Sequence, residues 1–170
     1  FQSYLDAYPE GFNFLNAHFA LAEIHYEEND YDPAIIHYQK LIDEKPNEYF
    51  EQALVRATQL LVKQERSDAA APLWRQLEEE AVYAENKRYA MFNLMRFYYE
   101  SKELEQAQSK SESVLELTNL EVKVKWDAYE ILAQTSMQLG DSLIAEKAFK
   151  VLEKAPIDAL AADAYYFRAH

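Results

Sequence analysis

The sequence has no cysteine and only two glycines among its 170 residues. Without cysteine, the chain cannot form a disulfide, use a thiol nucleophile or build a zinc site from cysteine ligands. Few glycines and five prolines leave little turn chemistry for β-hairpins, whereas the abundant Ala, Leu, Glu, Gln and Lys favour helices. These scarcities predict an all-α protein with almost no strand.

Basic side chains are also scarce, since 17 Lys and Arg stand against 30 Asp and Glu, a formal net charge of −13. This balance repels a phosphate backbone, so nucleic acid is not expected among the partners. No apolar run approaches the roughly 20 residues that a membrane-spanning helix needs. The hydrophobic fraction of 49% is enough to bury a core. We therefore expect a folded, acidic protein with no membrane-inserted segment in these residues.

A helical pattern repeats along the chain: an alanine, a bulky residue four positions later and an aliphatic residue seven positions later. It occurs at Ala34, Tyr38 and Leu41 and recurs after 36, 37 and 38 residues, with Ser111 in the third bulky position. The four alanines are Ala34, Ala70, Ala107 and Ala145. Because an alanine lets two helix axes approach closely, each copy predicts a pair of packed helices.

Turns are expected between the two helices of each copy. They fall at Asn29-Asp30, Glu65-Arg66, Lys102-Glu103 and Gly140-Asp141. A helix ends most easily on a glycine, or next best an asparagine, in the left-handed backbone region. We therefore expect the turns at Glu65 and Lys102 to be strained or built differently from the other two.

The pattern resembles the tetratricopeptide repeat, whose usual period is about 34 residues. The resemblance covers nearly the whole chain and is clearest in FALAEIHYEENDYDPAIIHYQKLIDEKP and AYEILAQTSMQLGDSLIAEKAFKVLEKAP. Thr58 and Met95 depart from it in the small-residue position of the first helix, and Ser111 departs in the aromatic position. The resemblance implies an α-α superhelix, a solenoid of tandem helix-turn-helix hairpins.

The predicted organisation is a single array over residues 1–170. Its parts are the end of a preceding repeat at 1–9, repeats at 15–46, 51–82, 88–119 and 126–157, and the start of a further repeat at 158–170. Repeat arrays normally end in polar capping units. Because neither end carries one, we expect this chain to be a fragment of a longer array.

The opening stretch FQSYLDAYPEGFNFLNAHFALAEIHYEENDYDPAIIHYQKLIDEKP and the closing stretch APIDALAADAYYFRAH are similar to tetratricopeptide proteins of bacterial cell envelopes. The closest resemblance is to the Tol-Pal-associated and outer-membrane-assembly lipoprotein families, in which a proline ends each unit. This resemblance implies a periplasmic or envelope-associated location, with the cytoplasm as the alternative.

Partner-binding residues are predicted on the first helices, which line the inner wall of such an array. The offsets from the packing positions select Phe19, Glu23, Tyr26, Arg56, Gln59, Tyr89, Phe92, Asn93, Arg96, Tyr99, Glu130 and Gln134. They also place Asn16, Glu27, Gln52, Val55, Val62, Lys63, Glu100, Asp127, Met137 and Gln138 on this wall.

Two ring pairs stand out on this wall. Phe19 with Tyr26, and Phe92 with Tyr99, are seven residues apart, so each pair shares a helix face. They can anchor an extended or helical segment of a partner. The alternative is that the rings pack against neighbouring repeats.

No catalytic, cofactor or metal site is predicted. The histidines His18, His25, His37 and His170 form no i, i+4 pair with a nearby Glu of the kind a helical zinc site needs. His18 and His25 fall at packing positions, and no phosphate loop or nucleophile elbow is present. A clamp for chaperone C-terminal carboxylates is not expected, because only Arg56 and Asn93 match its residues.

The sequence therefore predicts a non-enzymatic scaffold that binds a protein or peptide of unknown identity and needs no cofactor. Two alternatives stay open. One is an array that self-associates through uncapped ends, and the other is the regulatory part of a longer enzyme.

Overall fold

A computed structural model describes residues 1–8 and 11–155. This part of the chain contains nine helices and no strand. They are α1 (Gln2–Ala7), α2 (Phe14–Glu27), α3 (Tyr31–Asp43), α4 (Phe50–Lys63), α5 (Ser67–Glu80), α6 (Ala84–Glu100), α7 (Leu104–Leu115), α8 (Val122–Leu139) and α9 (Ser142–Leu152). The all-α class is confirmed. The predicted further repeat at 158–170 lies outside the described residues, as does His170.

The chain divides into two compact units, residues 1–87 and 88–170, which are described separately. In the first unit α2 packs on α3, α3 on α4 and α4 on α5, so that consecutive helices are neighbours. In the second unit α7 packs on α8 and α8 on α9. Each packing of consecutive helices is the arrangement expected of a helical-repeat fold.

Helix lengths differ between the hairpins. The second helices α3, α5, α7 and α9 begin at residues 31, 67, 104 and 142, at the 36-, 37- and 38-residue intervals of the sequence pattern. The first helices α2 and α4 have 14 residues, whereas α6 has 17 and α8 has 18. α6 and α8 consequently begin four residues before the predicted unit starts at 88 and 126.

The repeated positions form the core of both units. The four patterned alanines are buried, and so are the residues in the bulky and aliphatic positions, including Trp74 and Phe149. The departures from the pattern are accommodated in the core as well, since Met95 is fully buried. The hydroxyl of Thr58 donates to the Leu54 carbonyl at 2.9 Å, and that of Ser111 to the Ala107 carbonyl at 2.8 Å. Each buried hydroxyl thus keeps a hydrogen bond.

All four turns have the same construction. The first turn residue lies in the left-handed region, with φ of 59° at Asn29, 58° at Glu65, 61° at Lys102 and 82° at Gly140. In every turn this residue donates its N–H to the carbonyl three positions earlier, and the next residue donates to the carbonyl five positions earlier. Of the two possibilities expected for the turns at Glu65 and Lys102, a different construction is excluded and a strained turn is found. Their difference is strain, because Glu65 and Lys102 carry a Cβ where glycine is preferred.

No helix among the described residues combines the length and the apolar character that crossing a membrane requires.

Candidate partner-binding faces

The twelve predicted partner-binding residues are all half-buried. None of them belongs to the core, and each keeps part of its side chain open to solvent. In the first unit they are carried by α2 and α4, and in the second by α6 and α8. The contacts they make within each unit decide how much of each side chain is available to a partner.

Glu23 is the centre of a polar cluster in the first unit. Its carboxylate accepts a hydrogen bond from the Tyr38 hydroxyl at 2.5 Å and pairs with Arg56 at 3.7 Å. The Arg56 guanidinium also lies 4.5 Å from the centre of the Tyr26 ring, a favourable cation–π contact. Burial, followed by the hydrogen bond with Glu23, raises the pKa of Tyr38. This cluster fixes α2 against α3 and α4.

Phe19 is stacked on Tyr49 at the start of α4. The two ring centres are 4.4 Å apart and the planes differ by 15°. The Tyr49 hydroxyl donates to the Asn16 side-chain oxygen at 2.5 Å. The Phe19 ring therefore packs against the neighbouring hairpin, while its side chain stays half-buried.

A cavity of about 440 Å³ opens beside α4 in the first unit. Arg56 and Gln59 of the predicted partner-binding set line it, together with Gln52 and Val55, which the same offsets place on the inner wall. The other lining residues are Glu48, Glu51, Tyr83, Glu85 and Asn86. The volume falls in the range of sites that take small molecules or short segments.

Glu51 holds one rim of the cavity in place. Its two carboxylate oxygens accept hydrogen bonds from the backbone N–H of Val82 at 3.0 Å and of Tyr83 at 3.1 Å. The Asn86 side-chain amide donates a third bond at 2.7 Å. These bonds fix the segment before α6 against the first turn of α4, and so give the cavity its second wall.

In the second unit, α6 and α8 are joined by polar bonds between predicted residues. Arg96 pairs with Asp127, and the Tyr99 hydroxyl donates to the side-chain oxygen of Gln134. The Gln134 amide donates in turn to Glu130 at 3.3 Å. Burial, followed by the charge of Glu130, raises the pKa of Tyr99. These side chains connect the two helices while remaining partly exposed.

The remaining predicted residues of the second unit lie earlier on α6. The Asn93 side-chain amide donates to the Tyr89 carbonyl at 2.7 Å, one helical turn away. Phe92 is half-buried on the same helix. The structure thus brings together Arg96, Tyr99, Glu130 and Gln134, and it leaves Phe92 apart from the described polar bonds.

Three histidines cluster between α2 and α3. The Nδ1 atoms of His18 and His37 are 2.8 Å apart, and the rings of His25 and His37 are stacked with centres 5.7 Å apart. Burial, followed by the neighbouring His18 and His25, lowers the pKa of His37 to about 4. Within residues 1–8 and 11–155, no three His, Asp or Glu side chains are grouped so that they could hold a metal ion.

Sequence reasoning missed the residues that complete the cavity. The predicted residues were chosen by their offsets along the first helices. Tyr83 lies just before α6, and Glu85 and Asn86 lie in its first turn. A signal was present in the sequence, because Val82 and Tyr83 place two large apolar residues between helices, where polar residues are usual. Both are exposed, Val82 by 86% and Tyr83 by 61%.

Comparison with known families decides the type of domain. Residues 16–101 match the model of the TT21 fifth ARM repeats domain, just over half of the 170 residues. The chain belongs to this family. The matched residues include the cavity, most of α2 and all of α3 to α6, and they end before Glu130 and Gln134. No curated protein matches the sequence.

Membership of the TT21 fifth ARM repeats family supports one part of the predicted resemblance to tetratricopeptide proteins, namely that the chain is a helical-repeat protein. The family is described by ARM rather than tetratricopeptide repeats. The intervals of 36 to 38 residues lie between the roughly 34 residues of a tetratricopeptide repeat and the roughly 40 to 47 of an armadillo repeat. Period alone therefore does not separate the two repeat types here.

Proposed function

We propose that this chain is a non-enzymatic scaffold of successive repeats, at the unit bounds predicted above, which binds a peptide or helix of a partner protein. The cavity beside α4 carries the proposal, because it brings the predicted Arg56 and Gln59 together with further polar and apolar groups. Helical-repeat domains use such surfaces for protein partners. The remaining predicted residues are proposed to extend the binding face within each unit.

The half-buried state of the predicted residues supports this function. Arg56 and Tyr26 are held in position by their contact with each other and by the pairing of Arg56 with Glu23, and both stay half-buried, so that their exposed parts form a preorganised surface. Binding to a preorganised surface loses less conformational entropy than binding to mobile side chains. We therefore expect recognition of short segments with little movement of α2 and α4.

The experiment uses a displayed library of random 12-residue peptides, selected on the chain. We expect some of the selected peptides to lose at least about tenfold in affinity on Gln52→Trp, because the added ring fills the cavity from an exposed position. Ile36→Trp is the matched control, since Ile36 is exposed on α3 away from the cavity lining. Fluorescence anisotropy with labelled peptides measures both variants.

Selected peptides that bind all three proteins equally would contradict use of the cavity. Concentration-dependent dimerisation without peptide binding would instead favour the self-association alternative. The envelope location rests on the sequence resemblance alone, and the tetratricopeptide type does so too. A fusion to a reporter that is active only outside the cytoplasm tests the location.

A further inference from the structure

The cavity beside α4 has an unbalanced charge. Among the described residues that line it, Glu48, Glu51 and Glu85 are acidic and Arg56 is basic. The Arg56 guanidinium is already engaged, because it pairs with Glu23 and lies over the Tyr26 ring. The groups that donate to Glu51 are neutral, so they position this carboxylate without cancelling its charge.

The cavity also offers apolar contact next to these charges. The Tyr83 ring is 61% exposed at its rim, and Val55 is half-buried in its wall. A lysine or arginine side chain has a long apolar stem and a charged head, and it packs well where an apolar surface leads to carboxylates. The exposed ring face additionally attracts a cation.

We propose that this cavity binds a lysine or arginine side chain of an extended segment in the partner protein. The inference rests on the proposed function and names the chemistry of its ligand. The stem lies along Val55 and Tyr83, and the cationic head reaches Glu48 and Glu85, whose carboxylates are exposed. The amides of Gln52 and Gln59 provide hydrogen-bond acceptors for the remaining donors of the head or for the peptide backbone.

The other occupants fit this lining less well. An acidic segment meets three carboxylates, and a fully apolar anchor would leave those carboxylates and several amides without water. Charge complementarity therefore selects the cationic segment.

The experiment starts from the displayed peptides whose binding Gln52→Trp weakens. We expect them to share a lysine or arginine at one position, and replacement of that residue by norleucine to weaken binding at least about tenfold. We expect the double variant Glu48→Gln with Glu85→Gln to lose about five- to tenfold in affinity. Glu79→Gln is the matched control on α5, and its affinity should equal that of the unchanged chain.

Salt gives a second measurement on the same peptides. Raising NaCl from 50 to 500 mM should weaken binding to the unchanged chain more than to the double variant, because salt screens the charges that the variant lacks. Circular dichroism checks that each variant is folded.

The outcomes separate the two proposals. Cavity-binding peptides without a shared cation, or an unchanged affinity in the double variant, would overturn the inference and leave the proposed function standing. If no selected peptide responds to Gln52→Trp, the inference and the use of the cavity are both overturned.

Discussion

At the scale of single residues, the histidine cluster between α2 and α3 is sensitive to pH. His18 is buried and faces His37, so one ring nitrogen must donate and the other accept. Burial and then the charge of Lys40 lower the pKa of His18. A proton added to either ring would place a positive charge in this partly buried site, near His25 and Lys40. The neutral pair therefore belongs to the folded state.

The histidines predict a loss of stability in acid. Unfolded histidine has a pKa near 6.5, whereas that of His37 is about 4 in the fold, so the unfolded chain takes up the proton first. The stabilisation is fully present above about pH 6.5 and is lost as the pH falls toward 4. We expect His37 to account for about 1 to 2 kcal/mol of lost unfolding free energy at pH 5. Urea unfolding at pH 7.5, 6.5, 5.5 and 5.0 measures it.

The variant His37→Gln serves as the control because it cannot take up this proton. Its unfolding free energy should change less than that of the unchanged chain between pH 6.5 and 5. Equal changes in both proteins would contradict a titrating role for His37.

At the scale of elements, the turn between paired helices is the conserved feature of the architecture within this chain. Four different residues, Asn29, Glu65, Lys102 and Gly140, adopt the same left-handed conformation with the same hydrogen bonds. Three of these turns join the packed pairs α2–α3, α4–α5 and α8–α9, and a Cβ in this conformation costs roughly 1 kcal/mol. Gly140 has open space where a Cβ would lie, so its advantage is one of backbone conformation.

The turns predict that Glu65→Gly stabilises the chain by about 0.5 to 1 kcal/mol, because glycine relieves the strain at φ 58°. Glu28→Gly is the control, since Glu28 has φ −76° at the end of α2, where glycine only adds freedom to the unfolded chain. Urea unfolding at pH 7.5 compares the two. A destabilisation by Glu65→Gly as large as that by Glu28→Gly would show that the turn at Glu65 carries no strain.

At the scale of the whole molecule, acidic charge dominates. With 30 acidic and 17 basic side chains, repulsion between carboxylates outweighs the attraction within surface ion pairs such as Lys45–Glu80 and Arg66–Asp32. Exposed ion pairs of this kind contribute roughly 0 to 1 kcal/mol each. Salt weakens both the repulsion and the ion pairs, so the larger of the two effects decides whether added salt stabilises or destabilises the fold.

We therefore predict that salt stabilises the chain. Raising NaCl from 20 to 300 mM should raise the melting temperature by about 2 to 5 °C, because screening reduces the self-repulsion of the folded state. Thermal unfolding followed by circular dichroism at pH 7.5 measures this change. A melting temperature that falls with added salt would mean that the ion pairs outweigh the net charge.

The sequence by itself determined the helices, the turn positions and the core. Ala34, Ala70, Ala107 and Ala145 recur once in each hairpin. They could be recognised because helical periodicity and close helix packing leave their pattern within a few neighbouring residues. It also selected side chains at the cavity, Arg56 and Gln59, because a residue's offset on a helix fixes the face it occupies.

Only the tertiary structure decided what those faces contain. Glu51 meets Tyr83 and Asn86, and His18 meets His37, across 19 to 35 residues of chain. These long-range contacts depend on loop conformations and helix orientations that no local sequence pattern encodes. The sequence left open whether the turns at Glu65 and Lys102 are strained or built differently, because local preference disfavours the left-handed conformation there. The tertiary structure shows that conformation in both turns.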